Sequence, residues 1–230
     1  RFGNRISKLF LLDYSEKLWG LKSDKLSKKI SGNRLKGFTI YTMILEYLLG
    51  NKIKTQHLDG SFYYPDFGIG VIFDEIVDYC GRSNFHNKSL ITSINHKNFK
   101  INNIEINKRI NKSVNELIST IPLGLFLNLL NPSPPKEILQ ISKSINFRNI
   151  VLYCFFLNKQ NINNNGSMYF PDKKYPFTRI YEPKNRSKYM SPKNKTSLIV
   201  EVPCQKNEEC WKNPSLLTDS IKSDLEKIGF

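Results

Sequence analysis

Helix-like and strand-like apolar patterns follow each other along the 230 residues without a regular period, and this order limits the fold. Apolar residues at steps of three and four predict helices, whereas short runs rich in β-branched and aromatic residues predict strands. The predicted helices span residues 2–18, 26–30, 37–49, 71–80, 123–130, 136–144 and 214–228. The predicted strands span residues 89–94, 99–106, 117–121, 150–157, 168–170, 178–181 and 197–202. Because a doubly wound parallel sheet needs strict strand-helix alternation, we predict an α+β fold with a mixed, mainly antiparallel sheet flanked by helices.

The net charge of +15 raises the question of nucleic-acid binding, since clustered Lys and Arg neutralise phosphates. The 27 lysines and 8 arginines are instead scattered along the whole chain, beside 25 Asn, 25 Ile and no Ala. Lys, Asn and Ile have AT-rich codons, so the composition is typical of genome bias. We predict a solvated lysine-rich surface and no nucleic-acid partner, while a basic cleft for an anionic ligand stays open.

No apolar run approaches the roughly 18 residues of a membrane span, so none is predicted. The chain begins at Arg1 with neither a signal nor a transit peptide, which indicates a piece of a longer, cytoplasmic protein. The four cysteines lack zinc spacing and are expected to be reduced, with Cys204 and Cys210 the pair that could be bridged. The three histidines have no partner at ligand spacing, so we predict no metal site.

Three local runs are candidates for a binding site. Gly68-Ile69-Gly70 is either a turn that enters a helix or a loop that approaches a ligand, since glycine carries no side chain. The run Tyr14 to Gly20 is either a helix end packed on the core or part of a cleft. In the strand around Arg179, period two places Arg179 and Tyr181 on one face, and Ile180 and Glu182 on the other. A strand arginine is either a solvated edge residue or a fork of donors for a phosphate or carboxylate.

Taken together, these runs resemble one family. The quoted motifs, in chain order, are Phe2-Gly3 through Leu9-Phe10 into Tyr14-Ser15-Glu16-Lys17-Leu18-Trp19-Gly20, Tyr64-Pro65 with Gly68-Ile69-Gly70, Ile118-Ser119-Thr120-Ile121-Pro122-Leu123, and Thr178-Arg179-Ile180-Tyr181-Glu182-Pro183-Lys184. They are similar to FAD-dependent oxidoreductases of the amine oxidase superfamily, in the branch of protoporphyrinogen-oxidase-like proteins related to UDP-galactopyranose mutase. Such proteins are often encoded among surface-polysaccharide (lipopolysaccharide) genes.

The resemblance implies FAD in the full-length parent and a role for this chain as its central, substrate-binding fragment. The family's G-x-G-x-x-G unit and its closing C-terminal segment are not in the sequence. The implied division is 1–80 for the helical part of the substrate domain and the flavin-facing loop, 81–135 for strands of the FAD domain, and 136–230 for the sheet and terminal helix of the substrate domain.

The resemblance also implies the site residues. Arg179 is expected to bind the substrate's anionic group, with Glu182 and Lys184 holding it in place. The other expected substrate-binding residues are Tyr14, Trp19 and Tyr181. The expected cofactor-binding residues are Tyr64, Pro65, Gly68, Gly70, Ile94, Thr120 and Pro122, with residues 89–94 meeting the adenine and residues 118–122 forming a strand that ends under the cofactor.

The implied function is that of an FAD-dependent oxidoreductase for an organic, nucleotide-sugar or polysaccharide-related small molecule. Two departures from the mutases, Gly81-Arg82-Ser83-Asn84 in place of paired glycines and a missing second substrate arginine, weigh against mutase activity. The alternatives are a flavin-dependent isomerase of the mutase type and, in another class, a non-catalytic basic module for nucleic acid or an anionic glycan.

Overall fold

The computed structural model describes residues 7–31 and 62–230. The predicted helix at 37–49 and residues 2–6 of the first predicted helix lie outside this range. A π-helical turn, Ser7–Leu12, leads into the first described α-helix. The α-helices are α1 Asp13–Trp19, α2 Gly70–Cys80, α3 Leu123–Leu129, α4 Lys136–Lys143, α5 Glu209–Lys212 and α6 Thr218–Lys227. The strands are β1 Ile91–Lys97, β2 Lys100–Ile106, β3 Ile110–Ser113, β4 Leu130–Asn131, β5 Asn149–Leu157, β6 Met168–Tyr169, β7 Arg179–Tyr181 and β8 Thr196–Cys204.

The predicted α+β class is confirmed, and the strands form two sheets. The first has the order β3-β2-β1-β4, in which β4 pairs with β1 in parallel and the other pairs are antiparallel. The second has the order β5-β8-β7-β6 and is antiparallel throughout. The chain divides into two compact units, residues 1–73 with 148–230, and residues 74–147.

The strand predicted at 117–121 is wrong. That stretch is unpaired, and its Ile118 is 93% exposed. The third strand of the sheet is β3, which is separated from β2 by three residues that include a turn at Asn107 and Lys108, with φ of 54° and 57°. Asparagine tolerates this left-handed backbone conformation better than most residues do. The short polar turn at 107–109 therefore allows β3 to form a hairpin directly after β2.

The core of the first unit lies on one face of the antiparallel sheet. Tyr153, Ile180, Leu198 and Val200 alternate with residues of the other face, as period two requires. Helix α6 contributes Ile221 and Leu225 to the same cluster. Each such buried apolar side chain contributes roughly 1.5–3 kcal/mol to folding. The core therefore occupies one face of this sheet, and the second face carries Arg179 and Glu201 together with exposed apolar side chains such as Leu152 and Phe156.

Helix α1 is fastened in the first unit by a lysine. The Lys17 ammonium donates to the backbone carbonyls of Phe170, Asp172 and Phe177, at 2.7, 2.9 and 2.6 Å. Burial lowers the pKa of Lys17 to about 8. The helix ends at Gly20, with φ of 68°, and Arg148 donates to the carbonyl of Leu18 at 3.1 Å. These bonds hold α1 against the segment that follows β6.

Candidate functional site

Arg179 forms a two-point ion pair on the second face of the antiparallel sheet. Strand register places Tyr169, Arg179, Glu201 and Leu152 opposite one another on the four strands. The Arg179 Nε and Nη2 atoms donate to the two carboxylate oxygens of Glu201 at 2.9 and 2.5 Å. This hydrogen-bonded carboxylate raises the pKa of Arg179 above its usual value. Glu201 is only 8% exposed, so its negative charge is compensated by the paired Arg179 and little by solvent.

Glu182 and Lys184 do not hold Arg179, which corrects the expectation from the sequence. Glu182 is fully buried on the core side, where it accepts hydrogen bonds from the amides of Ile162 and Asn163 and the hydroxyl of Thr196. Lys184 donates to four backbone carbonyls at 2.8 to 3.0 Å. Period two sends Glu182 to the opposite face from Arg179, so the two side chains cannot meet.

A tyrosine–arginine row runs through the first unit and includes four of the predicted site residues. Its members, in the order in which they touch, are Tyr14, Tyr169, Arg179, Tyr181, Arg186 and Tyr64. The ring centroids of Tyr14 and Tyr169 are 5.9 Å apart, and the Tyr169 side chain interacts with that of Arg179. The row joins the start of α1, strands β6 and β7, and the segment that precedes α2.

Tyr181 stands between two guanidinium groups in this row. The Cζ atoms of Arg179 and Arg186 lie 5.3 and 5.0 Å from the centroid of its ring, within cation–π distance. The Cζ of Arg186 is also 5.9 Å from the ring of Tyr64. Burial raises the pKa of Tyr181 above that of a free tyrosine.

The Gly68 loop is a turn that enters a helix, the first of the two interpretations that the sequence left open. Gly68 is buried with φ of 96°, and a Cβ there would lie 3.1 Å from the sulfur of Met190, so only glycine fits without strain. Its carbonyl accepts from the amide of Val71 at the start of α2. Gly70, by contrast, has open space around the position of a Cβ. The loop therefore requires glycine at 68 to enter the helix, whereas position 70 would accept a side chain.

Trp19, Ile94, Thr120 and Pro122, which were also predicted, are not members of the row. Trp19 ends α1 at 40% exposure and makes no ring contact with the row within the described ranges. Ile94 is 2% exposed in the core of the second unit, Thr120 is exposed, and Pro122 directly precedes α3. The stretch 118–122, expected to be a strand under a cofactor, is not a strand.

Sequence reasoning missed Tyr169, Arg186 and Glu201. One signal was available, since Glu201 is a single acid within the apolar run from Leu198 to Val202. An acid at such a position predicts a buried partner. Arg186 follows the helical turn Pro183–Asn185, and its contact with Tyr64 joins residues more than a hundred positions apart, which no local pattern indicates.

Metal, disulfide and membrane features add little to the site. Across 7–31 and 62–230 there is no group of three or more His, Cys, Asp or Glu placed to hold a metal ion. The four cysteines are unpaired. Within the same described residues, no helix has the length and apolar character that crossing a bilayer requires.

The fold is similar to that of two solved structures. Reduced UDP-galactopyranose mutase matches with a TM-score of 0.80 at 20% identity, over 97% of this chain and 48% of the mutase. A candidate protoporphyrinogen oxidase from Exiguobacterium sp. 255-15 matches with a TM-score of 0.70 at 14% identity, over 99% of this chain and 49% of the other. No protein-family model and no curated protein matches the chain.

These likenesses agree, at the level of the fold, with the resemblance that the sequence motifs indicated. The chain spans about half the length of each of these structures. At such identities the comparison concerns the fold, and the activity has to be argued from the site.

Proposed function

We propose that the chain is the substrate-binding part of an FAD-dependent oxidoreductase that acts on an organic small molecule, of the nucleotide-sugar or polysaccharide-related class. The observation that carries this proposal is the tyrosine–arginine row on the second face of the antiparallel sheet. Tyrosine rings stack on sugars and bases, and their hydroxyls hydrogen-bond them, while guanidinium groups bind phosphates. A fold shared with two flavoenzymes supports the same assignment.

The row suits a flat or extended polar ligand better than a purely apolar one. It combines four tyrosines with two arginines in a continuous chain of contacts. Rigid aromatic rings give large contact areas at low entropic cost, and the arginines supply charge at fixed places between them. A nucleoside diphosphate sugar presents the matching groups, a base, two phosphates and a sugar.

The residues present fit FAD only in part. Tyr64, Pro65 and the open backbone at Gly70 could border a flavin ring, and residues 81–135 are assigned to the cofactor's side of the parent protein. The sequence nevertheless contains no glycine-rich loop for the FAD pyrophosphate. When bound by the parent protein, FAD would supply the redox chemistry, and this chain's residues would bind and orient the substrate.

Flavin absorbance tests the proposal. The full-length gene product is expected to purify yellow, with about one FAD per chain. The 230-residue fragment mixed with FAD should lose the flavin on gel filtration, because it lacks the pyrophosphate loop. A colourless full-length protein that takes up no FAD contradicts the proposal, as does tight stoichiometric FAD binding by the fragment alone.

A flavin-dependent isomerase is the second candidate, and the higher TM-score of 0.80 to the mutase favours it. The two candidates differ in product. Reduced full-length protein incubated with UDP-galactopyranose yields the furanose isomer if it is an isomerase. An oxidoreductase instead consumes substrate with net reduction of the flavin, which bleaches its absorbance without added reductant.

A further inference from the structure

Two of the cysteines interact at the end of strand β8. Cys204 is the last residue of β8 and is fully buried, whereas Cys210, the second residue of α5, is partly exposed. The chain turns between them, since the amide of Glu208 donates to the carbonyl of Gln205 at 3.1 Å. The side chains of Cys204 and Cys210 interact with each other across this turn. A strand end and a helix start therefore bring two thiols together within a stretch of seven residues.

Both cysteines also lie beside Tyr153 of the neighbouring strand β5. The Tyr153 hydroxyl donates to the carbonyl of Pro214, shortly after α5, at 2.7 Å. Burial is the main cause of the raised pKa of Tyr153, and Cys210 and Cys204 add to it, which indicates that both sulfurs are near its hydroxyl. The two thiols thus belong to one cluster that joins β5, β8 and α5.

The two thiols differ in what can reach them. Cys204 is shielded from solvent, and burial, followed by Cys210, raises its pKa to about 11, so it keeps its proton at neutral pH. Cys210 is partly exposed, and its thiol donates to the Glu208 carboxylate at 3.7 Å. That carboxylate can accept the proton of Cys210 when the sulfur reacts. An accessible cysteine with a base and a second cysteine beside it is the arrangement of a redox-sensitive pair.

We propose that Cys204 and Cys210 form a reversible disulfide when the protein meets a hydroperoxide such as hydrogen peroxide. The Cys210 sulfur attacks one peroxide oxygen, so an S–O bond forms, the O–O bond breaks, and the thiol proton leaves with the other oxygen as water. The Cys204 sulfur then attacks the Cys210 sulfur, so the S–S bond forms, the S–O bond breaks, and the Cys204 proton leaves in a second water. Two thiols are oxidised and one peroxide is reduced to two water molecules. This inference does not depend on the proposed function.

The disulfide closes a ring that contains Glu208, and Glu208 is linked to helix α1. Its Oε1 atom is 3.4 Å from Nη1 of Arg148, and Arg148 donates to the carbonyls of Leu18 and Pro203 at 3.1 Å each. Because a short closed ring restricts the turn at 205–208, oxidation holds Glu208 against Arg148 at the end of α1.

Tryptic mapping of the full-length protein tests the inference. Trypsin cuts after Lys206, so the two cysteines fall on separate peptides, 196–206 and 207–212. After reduction, treatment with hydrogen peroxide and alkylation of free thiols, these peptides should appear as one cross-linked pair, and dithiothreitol should restore both free forms. Amide hydrogen exchange at residues 205–208 should slow in the cross-linked protein, since the ring restricts local opening.

Three variants make the test specific. Cys210→Ser should remove the cross-linked pair and leave Cys204 to be alkylated after unfolding. In Cys204→Ser the sulfenic acid on Cys210 has no partner, so dimedone, which traps that acid, should label peptide 207–212. Cys154→Ser removes an exposed cysteine of the same unit, and as the matched control it should give the wild-type cross-linked pair. Cys210 is partly exposed, so Cys210→Ser should keep the wild-type melting temperature and is decisive even where the buried Cys204→Ser does not fold.

The inference is overturned if peroxide leaves both peptides uncross-linked in the wild type, if Cys210 pairs with a different cysteine, or if Cys154→Ser loses the pair. A cross-linked protein with unchanged exchange at 205–208 overturns the effect on the turn. The flavin test decides the proposed function separately, because a colourless protein can form this disulfide and a yellow one can lack it.

Discussion

At the scale of single residues, the two arginines of the tyrosine–arginine row have different surroundings. Period two in the sequence predicts that Arg179 and Tyr181 share a face and that Ile180 and Glu182 share the other, and the structure agrees, with Ile180 and Glu182 both fully buried. The partner of Arg179 is 22 residues further along the chain, at Glu201. Only the pairing of β7 with β8 brings the two side chains together.

Replacing Arg179 should destabilise the first unit. In Arg179→Met, the nearly buried Glu201 carboxylate loses its two donors, so the free energy of unfolding should fall by about 1–3 kcal/mol. Urea unfolding of the full-length protein measures this. The double variant Arg179→Met with Glu201→Gln should recover part of the loss, because no buried charge remains. An Arg179→Met variant as stable as the wild type contradicts the structural role of the pair.

At the scale of elements, α1 is attached to the segment after β6 by side chains that form hydrogen bonds to backbone groups. Lys17 binds three carbonyls there, and Arg148 donates to the carbonyls of Leu18 and Pro203. Glu16 bonds the ammonium of Lys173 at 2.8 Å and the amide of Ser23 at 2.9 Å. This attachment is what brings Tyr14 within 5.9 Å of Tyr169, so the integrity of the row depends on it.

The attachment of α1 should weaken in acid. The hydrogen bond from Lys173, and then that from the Ser23 amide, lower the pKa of Glu16 from 4.5 to about 2. In the folded state Glu16 is therefore protonated only at lower pH than in the unfolded chain. Its contribution to stability is complete above about pH 4.5 and is lost as the pH falls towards 2.

Glu16→Gln tests this dependence. Its free energy of unfolding should fall less than that of the wild type between pH 5 and pH 2.5, roughly the window set by the two pKa values. Glu226→Gln, which removes an exposed carboxylate on α6, is the control and should follow the wild-type profile. Identical acid profiles for wild type and Glu16→Gln count against the bond network at Glu16.

At the scale of the whole molecule, the charge balance of 35 basic to 20 acidic residues does not by itself define a partner. The ammonium groups of Lys17 and Lys184 donate hydrogen bonds to backbone carbonyls within the fold. Other basic side chains form exposed ion pairs, such as Arg82 with Asp78 and Lys212 with Glu209. These contacts indicate basic residues dispersed over the surface, and not a continuous basic surface that would bind a polyanion.

We therefore expect no saturable binding of duplex or single-stranded oligonucleotides at about 150 mM salt, where surface charges are screened beyond roughly 8 Å. Fluorescence anisotropy at several salt concentrations measures it. A saturable affinity that falls steeply with salt would support the non-catalytic basic module instead, because each phosphate contact releases counterions.

Local periodicity was sufficient to predict most of the helices and strands, because the apolar face of a helix or the alternation of a strand depends on residues close together in the sequence. The elements predicted in this way include α2, α3, α4, β2, β5 and β8. The failure at 117–121 has a local cause, since an apolar run before Pro122 resembles a strand but finds no partner, while β3 follows a short polar turn. The family resemblance likewise came from motifs read in order along the chain.

The assembly of the row was decided by the tertiary structure alone. The pairing of Arg179 with Glu201 follows from the register of β7 against β8, and a slip of one residue would send every side chain to the other face. The contact of Arg186 with Tyr64 joins residues more than a hundred positions apart, whereas Tyr181 is close to Arg186 in the sequence. The sequence thus determined which residues carry charge and aromatic rings and which strand face they occupy, because those properties are local. Which carboxylate neutralises Arg179 depends on contacts across the chain, and these exist only once the sheet has formed.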